Sequence, residues 1–174
     1  MDKDSIMGTT NAIVKRAMEE DPGELKLKIR LGLDIHGTID ADPIFFSELS
    51  LSIRETGNEV FIVTGREIGD YIRDKLHHHK IVYDSILSIT SYHMSAGTPI
   101  KWLDEEKIHP WIDEELWNST KFKLCTNNNI DIMVDDSPVY GKYFSGYKKP
   151  FYVLYTPQMR EFLKILFYHG GYKL

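Results

Sequence analysis

Residues 25–38 read LKLKIRLGLDIHGT, and this stretch decides the fold. Apolar residues occupy alternate positions along it: Leu25, Leu27, Ile29, Leu31 and Leu33. The period-two pattern predicts a β-strand that runs to Asp34, because alternate side chains of a strand point to one face of a sheet. A turn that contains a glycine follows the aspartate. The stretch therefore predicts a carboxylate at the end of a buried strand.

The rest of the chain alternates short apolar runs with helical patterns. Further strands are predicted in four places: 59–63 (EVFIV), 85–90 (SILSIT), 130–134 (IDIMV) and 150–155 (PFYVLY). Helices are predicted over 9–20, 43–56, 67–80, 104–124 with a break at Pro110, and 156–170. This alternation predicts an α/β fold, a three-layer sandwich with a central parallel Rossmann-like sheet of about five strands. We expect an N-terminal helical extension over 1–24 and one α/β domain over 25–174.

The composition argues against several classes of function. The chain has 174 residues, 21 basic and 26 acidic, with a net charge of −5, which argues against general nucleic-acid binding. Its single cysteine, Cys125, cannot form an intramolecular disulfide. The polar start at Met1–Asp4 does not resemble a secretory signal, and no apolar run approaches the roughly 20 residues that span a bilayer. We therefore expect a cytoplasmic protein that does not enter membranes.

Polar residues follow three of the predicted strands. Asp34 ends the first strand, Thr64 and Gly65 end the second, and Asp135 and Asp136 end the strand at 130–134. In parallel α/β sheets, ligands bind beyond the carboxyl ends of the strands. Carboxylates from two strands without cysteine or clustered histidine favour Mg²⁺ over zinc. A hydroxyl and backbone N–H groups near a helix start suit an anionic oxygen, so the set predicts phosphoryl chemistry.

Three sequence blocks resemble motifs of the haloacid dehalogenase superfamily of phosphohydrolases. GLDIHGTID at 32–40 resembles the nucleophile motif, FIVTGR at 61–66 the second motif, and IMVDDSP at 132–138 the acidic fourth motif. The predicted helix before the last block carries lysines where the family has its lysine motif. The resemblance extends from about residue 27 to 155.

The resemblance implies a Mg²⁺ site and a nucleophile. Asp34 would attack phosphorus and also bind the metal. The backbone carbonyl of His36 would be a second ligand, and Asp135 would bind the metal directly. Asp136 would either be a further metal ligand or orient the other ligands of the metal.

The resemblance also implies a set of phosphate-binding groups. Thr64 and the N–H of Gly65 would hold the transferring phosphoryl group. Lys121 or Lys123 would neutralise charge on the nucleophile and the phosphate, and the Lys-x-x-x-Cys pattern favours Lys121. From these roles we expect the protein to be a Mg²⁺-dependent phosphomonoesterase.

His36 departs from the family pattern. The family's phosphatases carry a second aspartate at this position, which acts as general acid and base. Such a group contributes about 10²–10⁴-fold to rate, and histidine can itself transfer protons. His36 is therefore either the acid–base residue or a structural or substrate-contacting residue. A catalytically impaired module that binds metal and phosphate, or regulates, is the alternative to an enzyme.

The connections predict little or no cap over the site. One helix and one strand separate Asp34 from Thr64, and only a short excursion fits around 91–103. An open site would admit a phosphorylated small molecule, a nucleotide or a macromolecular phosphate. Aromatic residues in or near the excursion could stack on a base or simply pack within the fold: Tyr92, His93, Trp102 and Trp111.

Overall fold

The computed structural model describes residues 28–106, 108–145 and 149–168. The helix predicted over 9–20 and the extension 1–24 lie outside these residues. Within these ranges the structure has seven strands, listed in chain order: β1 Arg30–Leu33, β2 Glu59–Thr64, β3 Ser85–Ser88, β4 Lys101–Trp102, β5 Pro110–Trp111, β6 Ile132–Asp135 and β7 Phe151–Leu154. Five of them make a parallel sheet in the order β3-β2-β1-β6-β7, and β4 and β5 form a small antiparallel hairpin.

Helices cover both faces of the parallel sheet. Their bounds are α1 Pro43–Glu55, α2 Asp70–His78, α3 Ile89–Ser95, α4 Glu114–Asn127, α5 Pro138–Gly141 and α6 Met159–Tyr168. One buried cluster joins the sheet to α1, α2 and α6, and includes Phe46, Leu49 and Leu163. A second cluster joins it to α4 and includes Val63, Cys125 and Met133. The two clusters make a three-layer α/β sandwich, which confirms the predicted fold class.

The predicted helix over 104–124 is wrong in its first half. The carboxylate of Asp104 accepts hydrogen bonds from the N–H groups of Ile108 and His109, both at 2.6 Å, and folds the chain back. The N–H of Leu103 then reaches the carbonyl of His109 at 3.0 Å and closes the β4–β5 hairpin. The helix begins only at Glu114.

The strand predicted over 85–90 is two residues too long. Ser88 ends β3, and its hydroxyl accepts a hydrogen bond from the N–H of Ser91 at 3.0 Å, which caps the next helix. Ile89 and Thr90 therefore belong to α3. A capping side chain redirects the backbone here despite the apolar pattern.

The β4–β5 hairpin is the longest excursion at the carboxyl edge of the sheet within the described ranges, and it is too small to be a cap domain. No helix in the same ranges is long and apolar enough to cross a membrane.

Helix α1 offers a direct test of the core. Leu49 is fully buried against the sheet, whereas Leu51 on the same helix is 48% exposed. We expect Leu49→Ala to lower the free energy of unfolding by about 2–5 kcal/mol, because the truncation leaves a cavity. Leu51→Ala should change it by less than about 1 kcal/mol. Urea denaturation of both variants measures the difference, and equal losses would contradict the packing of α1.

Candidate functional site

Three carboxylates meet at the carboxyl edge of the sheet. Asp34 follows β1, Asp135 is the last residue of β6, and Asp136 comes next. One oxygen from each carboxylate lies within 4.8 Å of the others. Asp34 and Asp135 are buried, whereas Asp136 is exposed. The N–H of Asp34 donates to the carbonyl of Val134 at 3.0 Å, so the pairing of β1 with β6 positions both strand ends.

A buried lysine bridges two of these carboxylates. Nζ of Lys121 lies 2.9 Å from Oδ1 of Asp34 and 2.5 Å from Oδ2 of Asp135, and the residue is only 1% exposed. Lys123, one of the two candidates from the sequence, is exposed and lies 5.1 Å from the ring of Tyr92. The structure therefore brings Lys121 to the carboxylates and places Lys123 elsewhere.

Burial and charge act together on this cluster. Burial raises the pKa of Asp34 to about 6, although the charge of Lys121 opposes the shift. Burial also works against the charge of Lys121, but the attraction of Asp34 and Asp135 outweighs it and holds the lysine pKa above its ordinary value. Lys121 is therefore charged at neutral pH, and its one ammonium group faces a cluster of three carboxyl groups.

The loop at Thr64–Arg66 is anchored beside the carboxylates. The carbonyl of Gly65 accepts hydrogen bonds from the N–H and the hydroxyl of Thr90, at 3.2 and 2.6 Å. The hydroxyl of Ser88 donates to the carbonyl of Arg66 at 2.5 Å. Thr64 is fully buried, and its Oγ1 accepts a bond from the N–H of Arg66 at 3.3 Å. Side chains at the β3–α3 junction thus hold the loop predicted to bind phosphate.

Residues 36–38 wrap around Asp136. Gly37 has a φ of +81°, and a Cβ at this position would collide with the carboxylate of Asp136, so only glycine fits. The hydroxyl of Thr38 lies 3.4 Å from Oδ1 of Asp136. His36 lies at the rim of the site, where partial burial and the charges of Lys75 and Arg66 lower the pKa of the ring. Its neutral form is therefore favoured at neutral pH.

The site opens into a cleft of about 740 Å³. The lining residues are Asp34, His36, Gly65, Arg66, Tyr71, Leu103, Ile108, His109, Pro110, Trp117, Lys121, Asp135, Asp136, Ser137 and Tyr140. The sequence reasoning missed Trp117 and Tyr140 as site residues. Trp117 lies four residues before Lys121 on α4, and this spacing on a helix could have identified it. Tyr140 carries no such signal, because it reaches the cleft from α5, a helix of only four residues that is too short to show a periodic pattern.

The aromatic residues predicted near the excursion divide between the interior and the hairpin. His93 is buried, with Nε2 2.8 Å from Oγ1 of Thr120 and Nδ1 3.0 Å from Oγ1 of Thr98. Its ring therefore joins α3 to α4 inside the fold. Trp102 and Trp111 lie on the hairpin, and Trp111 lines a smaller pocket of about 230 Å³ beside the main cleft.

Comparisons with protein-family models, curated proteins and solved structures found no match. The resemblance to haloacid dehalogenases thus depends on the three sequence blocks themselves. In the structure, these blocks supply Asp34, Thr64 and Asp135 at the ends of β1, β2 and β6, the three adjacent inner strands of the sheet. The class that fold and site define is an α/β protein with an acidic, lysine-bridged cluster at the carboxyl edge of its sheet.

The role of Lys121 in the fold is testable with a matched pair of variants. We expect Lys121→Met to lower the free energy of unfolding by about 3–5 kcal/mol, because Asp34 and Asp135 stay buried without their cation. Lys123→Met, two residues away and exposed, should change it by less than about 0.5 kcal/mol. Urea denaturation at pH 7 in the presence of a chelator measures both. Similar stability of the two variants would contradict the assigned contacts.

Proposed function

We propose that the protein is a Mg²⁺-dependent phosphohydrolase that cleaves phosphomonoesters through an aspartyl-phosphate on Asp34. The observation that carries the proposal is the cluster of three carboxylates bridged by Lys121. The cluster lies beside the anchored Thr64–Arg66 loop in an open cleft. A nucleophile, a charge-neutralising lysine and groups for an anion are the parts that phosphoryl transfer requires.

The donor set fits a magnesium ion. Asp34, Asp135 and Asp136 offer hard carboxylate oxygens within 4.8 Å of one another, and no histidine or cysteine belongs to this group in the described ranges. These three residues would hold the ion, with the carbonyl of His36 as the further ligand that the family resemblance implies. Bound Mg²⁺ would offset the negative charge of the phosphate and of the attacking carboxylate.

Asp34 is the proposed nucleophile of the first step. Lys121 contacts its Oδ1, so Oδ2 is the oxygen proposed to attack phosphorus. A bond forms between this oxygen and phosphorus, and the bond between phosphorus and the ester oxygen breaks. The leaving oxygen takes a proton from solvent, which the open cleft admits, and departs as an alcohol. The N–H of Gly65, which lines the cleft, is proposed to stabilise the oxygens of the transferring group, and the buried Thr64 hydroxyl holds the loop by accepting the N–H of Arg66.

Water completes the reaction in a second step. It attacks the phosphorus of the aspartyl-phosphate, loses a proton, and restores the Asp34 carboxylate as inorganic phosphate leaves. His36 is the proposed acid–base residue, since its ring lines the same cleft. Its lowered pKa favours the neutral ring, which can accept the proton of the attacking water.

A non-catalytic binding module is the second candidate. The observation that favours it is His36 itself, which stands where the related phosphatases have a carboxylate. Arg66 lines the cleft beside this ring and places positive charge near it. Positive charge at this position would favour the binding of an anion, whether or not the anion is then cleaved.

Substrate class and location are the finer parts of the proposal. The open cleft suits a small phosphomonoester such as a nucleotide, and a macromolecular phosphate is the alternative. A cytoplasmic location agrees with the single cysteine, Cys125, which is buried and free.

The decisive measurement is phosphate release from a phosphomonoester panel, with and without Mg²⁺. We expect Mg²⁺-dependent turnover that falls at least about 10³-fold in Asp34→Asn, because the amide is not a nucleophile. Asp70→Asn, at an exposed position on α2, is the matched control and should keep full activity. Undiminished turnover in Asp34→Asn would refute the mechanism. Mg²⁺ binding without turnover on any compound would favour the binding module.

The role of His36 predicts a change in the pH profile. We expect His36→Ala to lower kcat at least tenfold when hydrolysis of the aspartyl-phosphate limits the rate, and to flatten the acid limb of kcat, which should lie below pH 6.5 because the pKa of the ring is lowered. As pH falls through that pKa, the ring becomes protonated and can no longer accept a proton. An unchanged rate and profile would exclude His36 as the acid–base group. A faster His36→Asp variant would instead indicate an impaired site.

A further inference from the structure

The β4–β5 hairpin presents apolar side chains to the cleft. Leu103 is 61% exposed and Ile108 is also exposed, yet both line the cleft that contains Asp34. Pro110 and Trp117 line both this cleft and the neighbouring pocket at Trp111. The acidic cluster and the apolar wall are thus parts of one continuous depression.

The wall is held in place before any ligand binds. The carboxylate of Asp104 accepts hydrogen bonds from the N–H groups of Ile108 and His109, and one of its oxygens lies 3.1 Å from Nδ1 of His109. These bonds hold the pKa of Asp104 below its ordinary value. Asp104 thereby ties the backbone of Ile108 and His109 to the first side of the hairpin, next to Leu103.

Trp117 connects this wall to the phosphate-binding loop. A Cβ at Gly65 would lie 3.0 Å from Cζ2 of Trp117, so the indole packs directly on the loop backbone. Its Nε1 donates to the hydroxyl of Tyr140 at 3.3 Å, and the Tyr140 ring lies 4.2 Å from Nζ of Lys121. The indole is therefore oriented between the site of phosphate chemistry and the apolar wall.

We infer that the hairpin and Trp117 bind a planar aromatic group carried by the phosphomonoester, a nucleobase or an aryl ring, while its phosphate lies at Asp34. The inference rests on the proposed function, since it assumes that the phosphate occupies the acidic site. A group of this kind matches the apolar side chains of Leu103 and Ile108 and the planar indole of Trp117, all of which line the cleft.

The size of the wall favours a small ligand over a protein partner. A stable protein interface takes about 20–30 residues from each side, whereas the wall comprises only a few exposed side chains. The cleft volume of about 740 Å³ is in the usual range for a small-molecule site. The position of the wall beside a phosphate site supports a ligand with both an anionic and an apolar end.

The tryptophans supply a built-in reporter. The chain has three, Trp102, Trp111 and Trp117, and all lie on the hairpin or at the start of α4. The experiment titrates Asp34→Asn, in Mg²⁺, with adenosine 5′-monophosphate and with ribose 5-phosphate, which lacks the base. Phenyl phosphate is the third probe and separates an aryl preference from a base preference. Intrinsic fluorescence and calorimetry measure binding.

We expect the nucleotide to quench the fluorescence and to bind about tenfold more tightly than the sugar phosphate. Leu103→Ala combined with Ile108→Ala should remove most of this preference. Leu116→Ala is the matched control, since Leu116 is exposed on α4 but does not line the cleft. Tight binding of phenyl phosphate as well would identify a general aromatic site.

Each contrary result is distinct. Equal affinity for the nucleotide and the sugar phosphate would overturn the inference and leave the phosphohydrolase proposal standing. Nucleotide binding without phosphate release by the wild-type protein would support the inference and refute the proposed hydrolysis. Absence of binding by all three probes would overturn both. A dimer in light scattering that Leu103→Ala dissociates would show that a second copy covers the wall, and would also overturn the inference.

Discussion

The ion bridge from Lys121 to Asp34 and Asp135 is the interaction on which the rest of the site depends. Two carboxylates buried at adjacent strand ends repel each other and lose hydration, so the fold tolerates them only with a cation between them. The lysine comes from α4 and the carboxylates from β1 and β6, so the same contacts that neutralise charge also fix the helix against the centre of the sheet. With Asp136 included, three carboxylates and one ammonium leave a formal charge of −2, which a divalent cation would balance.

Sheet topology explains why the site forms where it does. The chain adds β2 and β3 on one side of β1 and then β6 and β7 on the other side, so the strand order switches between β1 and β6. A crevice opens at such a point, because the segments that follow the two neighbouring strands leave toward opposite faces of the sheet. Asp34 and Asp135 lie on the two sides of this crevice. The Thr64–Arg66 loop, which follows β2, borders this crevice. The hydroxyl groups of Ser88 and Thr90 donate hydrogen bonds to the carbonyl groups of the loop. Strand order places the charges, and local hydrogen bonds from the neighbouring strand fix the loop beside them.

Much of this arrangement could be predicted from sequence, because buried strands and the residues that end them are local patterns. Asp34, Thr64 and Asp135 were all identified at strand ends in this way. The choice between Lys121 and Lys123 was open, since both lie on one helix and only packing decides which is buried. The helix predicted over 104–124 was wrong because one side chain, Asp104, binds two backbone N–H groups and turns the chain. Tyr140 could not be found, because the helix that carries it to the cleft, α5, has only four residues and shows no periodic pattern in the sequence.

The residue at position 36 affects anion binding and proton transfer in different ways. An aspartate there, as in the motif that the sequence around Asp34 resembles, would add a fourth carboxylate to a cleft that already has a formal excess of negative charge. An imidazole removes that repulsion, and Arg66, which lines the same cleft, favours an approaching phosphate. The same change replaces a strong acid–base group by one whose neutral form prevails at neutral pH. Histidine at position 36 therefore favours the binding of an anion and changes how protons can be transferred. An enzyme and a binding module could share the same carboxylate cluster, and the side chain at position 36 would decide between them.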